Sequence, residues 1–298
     1  MEPGNKFMPD QICLFAAYTR DGTLPPYTLY YLSELTSCGF TTHVALSGAA
    51  QVSKETEQSC HDRGIILWPR PNTGHDFGAW QHLLLHNCAA GASRVLLAND
   101  SVFGPLSPLA PIFRRMQSSA ADVWGMVETR AITPHLQSWF VCFERHSFDA
   151  EPVQRALRQN FVNMTKEELI WHGELGLSVA CRAAGLGTDA LWSDRNGLSG
   201  TLFPAINPMH ARWRQMARGR SVPFIKTELL RDNPFRLLTT PEWKQIVTSH
   251  SNFKPEWIAS YLRTNPPRTR TTASNLKGRL LYNLFDQITG RYTFPGKQ

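Results

Sequence analysis

Residues 96–106, LLANDSVFGPL, run from an apolar stretch into a knot of polar side chains. Arg94-Val95-Leu96-Leu97-Ala98 has the composition of a strand buried on both faces of a parallel sheet. Asn99-Asp100-Ser101 cannot continue such a core. Asp100 is therefore expected at the carboxyl edge of the sheet, where open α/β folds bind their ligands. A carboxylate there can hold magnesium or manganese against a diphosphate, because hard cations prefer oxygen ligands. Upstream, Asn72 and Thr73 are spaced to cap a helix beginning near His75, and Gly74 would let backbone come close to a ligand. A helix amino terminus offers N–H groups and the positive end of the dipole, which suits phosphate. The alternative is an ordinary turn with a capping Asn and a solvated Asp.

The elements that must carry these residues follow from periodicity. Apolar runs at 12–18, 41–46 and 65–68 read as strands, and 26–37, 53–63 and 76–88 as the helices between and after them. Three successive strand–helix–strand units argue for a parallel sheet covered by helices. Further strands are expected at 122–128 and 138–144, with helices from 151 and over 174–184. Pro266-Pro267 and the run 269–272 read as a linker. Beyond it, Leu276, Leu280, Leu284 and Ile288 recur every fourth residue beside Leu281 and Phe285, flanked by Lys277 and Arg279. That helix is too short to span a bilayer. It could pack on the rest of the chain, on a second subunit, or in an anionic membrane interface.

A chain of 298 residues with 42% hydrophobic content can bury one large core, with or without a C-terminal extension. The net charge of +7 is concentrated after Thr264, where Arg268, Arg270, Lys277, Arg279, Arg291 and Lys297 face only Asp286. No zinc finger, helix-turn-helix or aromatic-basic pattern points to nucleic acid. Neither a P-loop, GxGxxG, GxSxG nor HExxH is present, which counts against the enzymes that need them. The six cysteines lack metal-site spacing, and several sit in apolar runs as buried hydrophobes. With no leader-like or membrane-spanning stretch, a cytoplasmic location is expected.

The ordered motifs HDFGAW (75–80), LLANDSVFGPL (96–106), DVWGM (122–126), HLQSWFVCF (135–143), GELGLS (173–178), NPMHARW (207–213) and PFIKTELLR (223–231) resemble the rhamnan synthesis F family of bacterial polysaccharide glycosyltransferases. The resemblance implies an α/β, GT-A-like nucleotide-sugar transferase fold: a central, mostly parallel sheet covered by helices over residues 1–235, then a basic helical extension over 236–298. It implies an inverting glycosyltransferase. The donor would be a nucleotide sugar, dTDP-L-rhamnose, and the acceptor a growing cell-surface polysaccharide or O-antigen, as a glycan or lipid-linked glycan at the inner face of the cytoplasmic membrane.

Carried over residue by residue, Tyr18 matches the nucleobase position, and Asn72 and Gly74 the turn before the donor-facing helix. Asp76 and Asn99 lie in the same donor motifs. Asp100 matches the last carboxylate of a DxD motif and the metal ligand, but Ala98 stands at its first position, leaving metal dependence open. Ser47-Gly48 replaces the acid that many relatives use to read a pyrimidine. Glu174 matches the general base at the start of a helix, followed by Leu175 where relatives often have a second acid. Lys226, and after it His210, would supply positive charge to the leaving diphosphate. Trp124, Trp139 and Trp171 would stack on sugar, with core packing the alternative, favoured for Trp124. His135 and Gln137 would bind acceptor hydroxyls. The incomplete DxD keeps a second reading open, a non-catalytic carbohydrate-binding or scaffold component of an assembly complex.

Overall fold

A computed structural model describes residues 11–193, 206–219, 221–250, 252–268 and 276–290. Lys6, the 269–272 run, Asn275, Arg291 and Lys297 lie outside the described residues.

Alternation along the first strand sets the layers. In β1 (Gln11–Tyr18), Cys13, Phe15 and Ala17 enter one apolar cluster, and Ile12, Leu14 and Ala16 enter another. A strand apolar on both faces needs helices on both. The next strands are β2 (Phe40–Ser47), β3 (Ile66–Arg70) and β4 (Arg94–Asn99). Helices α1 (Pro26–Ser37) and α2 (Lys54–His61) cover the first cluster through Tyr31, Leu32, Leu35 and Cys60. Helix α3 (His75–Leu85) covers the second through Phe77, Trp80 and Leu83. β1 pairs in parallel with β2 and β4, and β2 with β3. Four carboxyl ends therefore share one edge.

The rest of the sheet is built from β6 (Val123–Thr129), β7 (His135–Leu136), β8 (Phe140–Glu144) and β9 (Thr188–Ser193), after a short β5 (Val102–Phe103). The order is β3-β2-β1-β4-β8-β6, with β7 and β9 both pairing β6. β8 runs antiparallel to β4 and β6, while β9 is parallel to β6. This is the α/β, mostly parallel, helix-covered sheet expected. A second sheet pairs β5 with β10 (Ile225–Lys226).

Two expectations are corrected. No helix starts at Glu174. One helical run covers 166–183, opened by a capping box in which the Thr165 hydroxyl accepts from the Glu168 N–H and the Glu168 carboxylate accepts from the Thr165 N–H. Glu174 lies inside its π-helical turn, Leu169–Leu175. Neither Asn72 nor Thr73 caps α3. Its N-cap is Gly74 in the left-handed region (φ 68°), where an added Cβ would crowd Gly78 and Phe161. Apolar packing also runs across residue 235. A third cluster joins Tyr27 of α1 and Phe103 of β5 to Trp243, Ile258 and Tyr282.

The C-terminal helix Leu276–Thr289 docks through Tyr282, Asp286 and Thr289, and Leu281 and Phe285 pack at its margin. Its leucine row faces outward: Leu276, Leu280, Leu284 and Ile288 are 71, 64, 56 and 51% exposed. No described helix is long and apolar enough to cross a membrane. The six cysteines are free, and five are buried.

Candidate active site

The parallel register brings Tyr18, Ser47 and Arg70 into one row across β1, β2 and β3, with Asp100 just beyond β4. The Tyr18 N–H donates to Asp100 Oδ2 at 2.8 Å, so the ends of β1 and β4 are tied by the carboxylate itself. The Tyr18 ring is 48% exposed and lies over Gly48, where an added Cβ would stand 2.5 Å from the ring. A larger residue after β2 would push the ring aside. Asn99 links β4 to the first turn of α3: its Nδ2 donates to Asp76 Oδ2 at 2.7 Å, and its Oδ1 accepts from the Ser101 N–H and hydroxyl.

Lys226 arrives from far along the chain. β10 pairs with β5, Lys226 opposite Val102, and the Thr227 N–H donates to the Ser101 carbonyl at 3.0 Å. This fit needs Gly104 (φ 144°), because a Cβ there would meet the Pro223 carbonyl at 2.5 Å and the Phe224 ring at 2.6 Å. Lys226 Nζ then donates to Ser101 Oγ at 3.2 Å and lies 5.4 Å from the Trp139 ring centroid. Burial lowers the Lys226 ammonium pKa, against the opposing charges of Glu174, Glu228 and Asp76. Burial likewise raises Asp76, opposed mainly by Lys226. It pushes the Asp100 carboxyl up to about 7, the Tyr18 amide working the other way.

Glu174 is partly exposed and heavily engaged. Its Oε2 accepts from the Ser138 N–H at 3.1 Å and the Ser138 hydroxyl at 2.6 Å, and its Oε1 lies 3.3 Å from His135 Nε2. Burial pushes this carboxyl up, but the bonds from His135 and Ser138 outweigh it and hold it at about 2. His135 Nδ1 sits 2.7 Å from the Thr133 carbonyl. Each nitrogen of the ring thus faces an acceptor oxygen. Burial works to lower the imidazole, yet Glu174 prevails and raises it. The carboxylate of Glu174 thus favours the charged form of His135.

Asp76, Asn99, Asp100 and Lys226 are thus brought together, with Glu174 within electrostatic reach of Lys226 and Asp76. Asn72 is exposed on the loop before Gly74. Trp171 is 56% exposed on the turn that carries Glu174. Trp124 is buried between Phe113 and Phe140, as the core alternative had it. His135 and Gln137 are each 5% exposed and committed to the protein: Gln137 Oε1 accepts from Trp139 Nε1, and its Nε2 donates to Asn207 Oδ1. His210 is 2% exposed and paired with Glu228 at 3.4 Å, with its ring edge-on to Phe235.

Sequence reasoning missed Ser101, Ser138 and Arg70. Arg70 donates to Ser47 Oγ and to the Thr73 carbonyl and hydroxyl, fixing the loop before Gly74. Its signal was an arginine ending an apolar strand just ahead of NTGHD.

The donor set for a divalent cation is thin. Asp100 Oδ2 is taken by an amide, Asp76 Oδ2 by Asn99, and Ala98 is fully buried in the first cluster. The Lys226 ammonium acts electrostatically on both Asp76 and Glu174 and would repel a second cation there. Among the described residues no group of three or more His, Cys, Asp or Glu converges as a metal site.

Comparison with known proteins gives a match to the family model described as rhamnan synthesis protein F over residues 46–273. Virulence protein VirA of Vibrio anguillarum is 25% identical over 198 residues, covering 57% of this chain; the chain spans 63% of VirA's own length. Among solved structures, glucosyl-3-phosphoglycerate synthase from Mycobacterium tuberculosis in complex with uridine-diphosphate is similar at a TM-score of 0.35 and 11% identity, over 59% of this chain and 80% of that one. Mouse xyloside xylosyltransferase 1 gives a TM-score of 0.34 and 10% identity, over 65% and 91%. Scores of this size carry no argument about substrate or mechanism.

Proposed function

The chain belongs to the rhamnan synthesis protein F family, with a GT-A-like fold, and on that premise we propose that it is an inverting glycosyltransferase. The observation that carries the proposal is the gathering of Asp76, Asn99, Asp100, Ser101 and Lys226 at the carboxyl edge of the sheet, with a lone ionised Glu174 beside them. The donor is a nucleotide sugar. Its base lies against Tyr18, near Asn72 and Gly74. Its diphosphate faces Ser101, Asp100 and the Lys226 ammonium.

The acceptor hydroxyl attacks the anomeric carbon as the carbon–oxygen bond to the β-phosphate breaks. The electron pair leaves with the nucleoside diphosphate, whose growing charge Lys226 compensates. The hydroxyl proton passes to Glu174. No step is routed through a metal ion. Trp171, exposed beside Glu174, is the stacking face for the acceptor sugar. The family description, rhamnan synthesis, supports rhamnose as the sugar; on this reading the donor is dTDP-L-rhamnose and the acceptor a bacterial surface polysaccharide or O-antigen, free or lipid-linked.

The test is a donor screen with purified full chain and a synthetic glycan acceptor, read by mass spectrometry. Transfer from dTDP-rhamnose is the expected result. Selective nucleoside diphosphate binding with no transfer from any donor would leave a carbohydrate-binding or scaffold role instead. Absence of any nucleotide-dependent rise in melting temperature would remove the donor site altogether.

A further inference from the structure

We propose that the outward face of the C-terminal helix seats this protein on an anionic bilayer surface. The proposal stands apart from the reaction assigned above.

The helix is held by polar anchors. Asp286, 1% exposed, accepts from Arg214 Nε at 3.1 Å and from the Thr239 hydroxyl. Its carbonyl accepts from Arg214 Nη2 at 2.8 Å. The Tyr282 hydroxyl accepts from the Asn207 N–H at 2.7 Å, and its ring stacks on Phe235 at 3.5 Å. Asn283 accepts from the Leu238 N–H at 3.1 Å. Together these bonds fix the rotation of the helix about its axis. They leave Leu276, Leu280, Leu284 and Ile288 outside, with Leu238, 79% exposed, beside them on the neighbouring loop.

A helix normally turns its leucines inward, since burying one is worth far more than burying an acid. Here the arrangement is reversed, and an ordered row of leucines faces solvent. Such a contiguous apolar face marks an interaction surface.

Charge selects the occupant. The only acid between 276 and 289 is Asp286, and it is buried. Lys277, next to Leu276, and Arg236, whose carbonyl accepts from Asn283 of the helix, are both exposed. A second copy meeting this face through its own would set cations against cations, with no exposed acid of the helix to answer them. An anionic lipid surface supplies the missing negative charge, and its acyl region takes the leucines. The helix is too short to cross, so it lies in the interface.

The test uses the full chain, because Tyr282 belongs to the third core and a truncation would open it. Cosedimentation is measured with vesicles of phosphatidylglycerol and phosphatidylcholine in equal parts, and with phosphatidylcholine alone. We expect binding to the mixed vesicles only, weakening as salt is raised. Leu280→Glu with Leu284→Glu should cut it roughly tenfold or more with unchanged melting temperature, since both side chains are already exposed. Lys277→Gln should cost about fivefold. Should the double variant melt early, Leu238→Glu carries the same test from outside the helix. No binding at low salt, equal binding by wild type and variant, or equal binding to both vesicles overturns the proposal. So does a wild-type dimer in sedimentation velocity that the double variant abolishes, since a second copy would then cover the face.

Discussion

Because Glu174 accepts bonds from Ser138 and His135, it is ionised through the neutral range and ready to take a proton, yet it stays a weak base until the acceptor displaces a partner. Glu174→Gln should cut turnover about 10²–10⁴-fold while leaving nucleoside diphosphate affinity within about twofold. A variant keeping more than a tenth of the wild-type rate would exclude Glu174 as the base. The same bonds set an acid dependence of stability. Held at about 2, below its unfolded value, Glu174 contributes stability that is fully present above that unfolded value and lost as pH falls through about 2. Asp100 has the opposite sign. Raised to about 7, it favours folding below its unfolded value and loses that contribution as pH rises through 7. Asp100→Asn, which cannot ionise, should flatten this part of the melting curve and keep nucleotide affinity, since its amide oxygen still accepts from Tyr18. Asp100→Ala should weaken nucleoside diphosphate binding about tenfold, the size of one lost hydrogen bond. Calorimetric titration with EDTA or with manganese should give one affinity for each protein. A manganese-dependent gain would restore a metal to the site.

At the scale of elements, the strands were legible and the small devices that aim side chains were not. β1 and β4 announced themselves because strands buried on both faces are unbroken apolar runs. β5 and β10, two residues each, carry no periodicity, so nothing in PFIK said that Lys226 would meet Ser101. The start of the helix bearing Glu174 was written in the sequence as Thr165-Lys166-Glu167-Glu168, a capping-box pattern, but no pattern marks the π-helical turn that follows. Gly104 tests this level. Alanine there would collide with the Pro223 carbonyl and adopt a backbone conformation that L residues avoid, prising β10 from β5. Gly104→Ala should destabilise by roughly 2–4 kcal/mol in denaturant unfolding. It should also lose nucleotide affinity at temperatures where it remains folded, because Lys226 moves with β10. Full affinity in the folded variant would show that Lys226 does not depend on this pairing.

For the molecule as a whole, the question is whether residues after 235 form an appendage or a part of one folded unit. The sequence argued for an appendage on two signals, a basic composition and Pro266-Pro267, and both describe the surface without reporting what lies beneath it. The core gives a reason to test for one unit. Tyr27 and Phe103 from the sheet layer share a cluster with Trp243, Phe253, Ile258 and Tyr282, and the family match likewise runs past 235, to residue 273. Beneath that cluster, Arg214 is joined to both Asp286 and Glu242, so the last helix is clamped by a buried ion pair. Removing Asp286 leaves the buried Arg214 only the partly exposed Glu242 as an ion partner, a loss of about 3 kcal/mol. Asp286→Ala therefore gives opposite outcomes for the two arrangements. If the C-terminal segment were independent, the variant would lose a small early transition and the main one would stay. With a shared core, unfolding remains a single step and its midpoint falls by several degrees, as expected when a loss of this size is divided by the unfolding entropy of a chain this long. Calorimetry of the variant beside wild type, with tryptophan fluorescence as a second probe, should give one coincident transition, because Trp243 in the shared cluster reports on the same unit as the sheet.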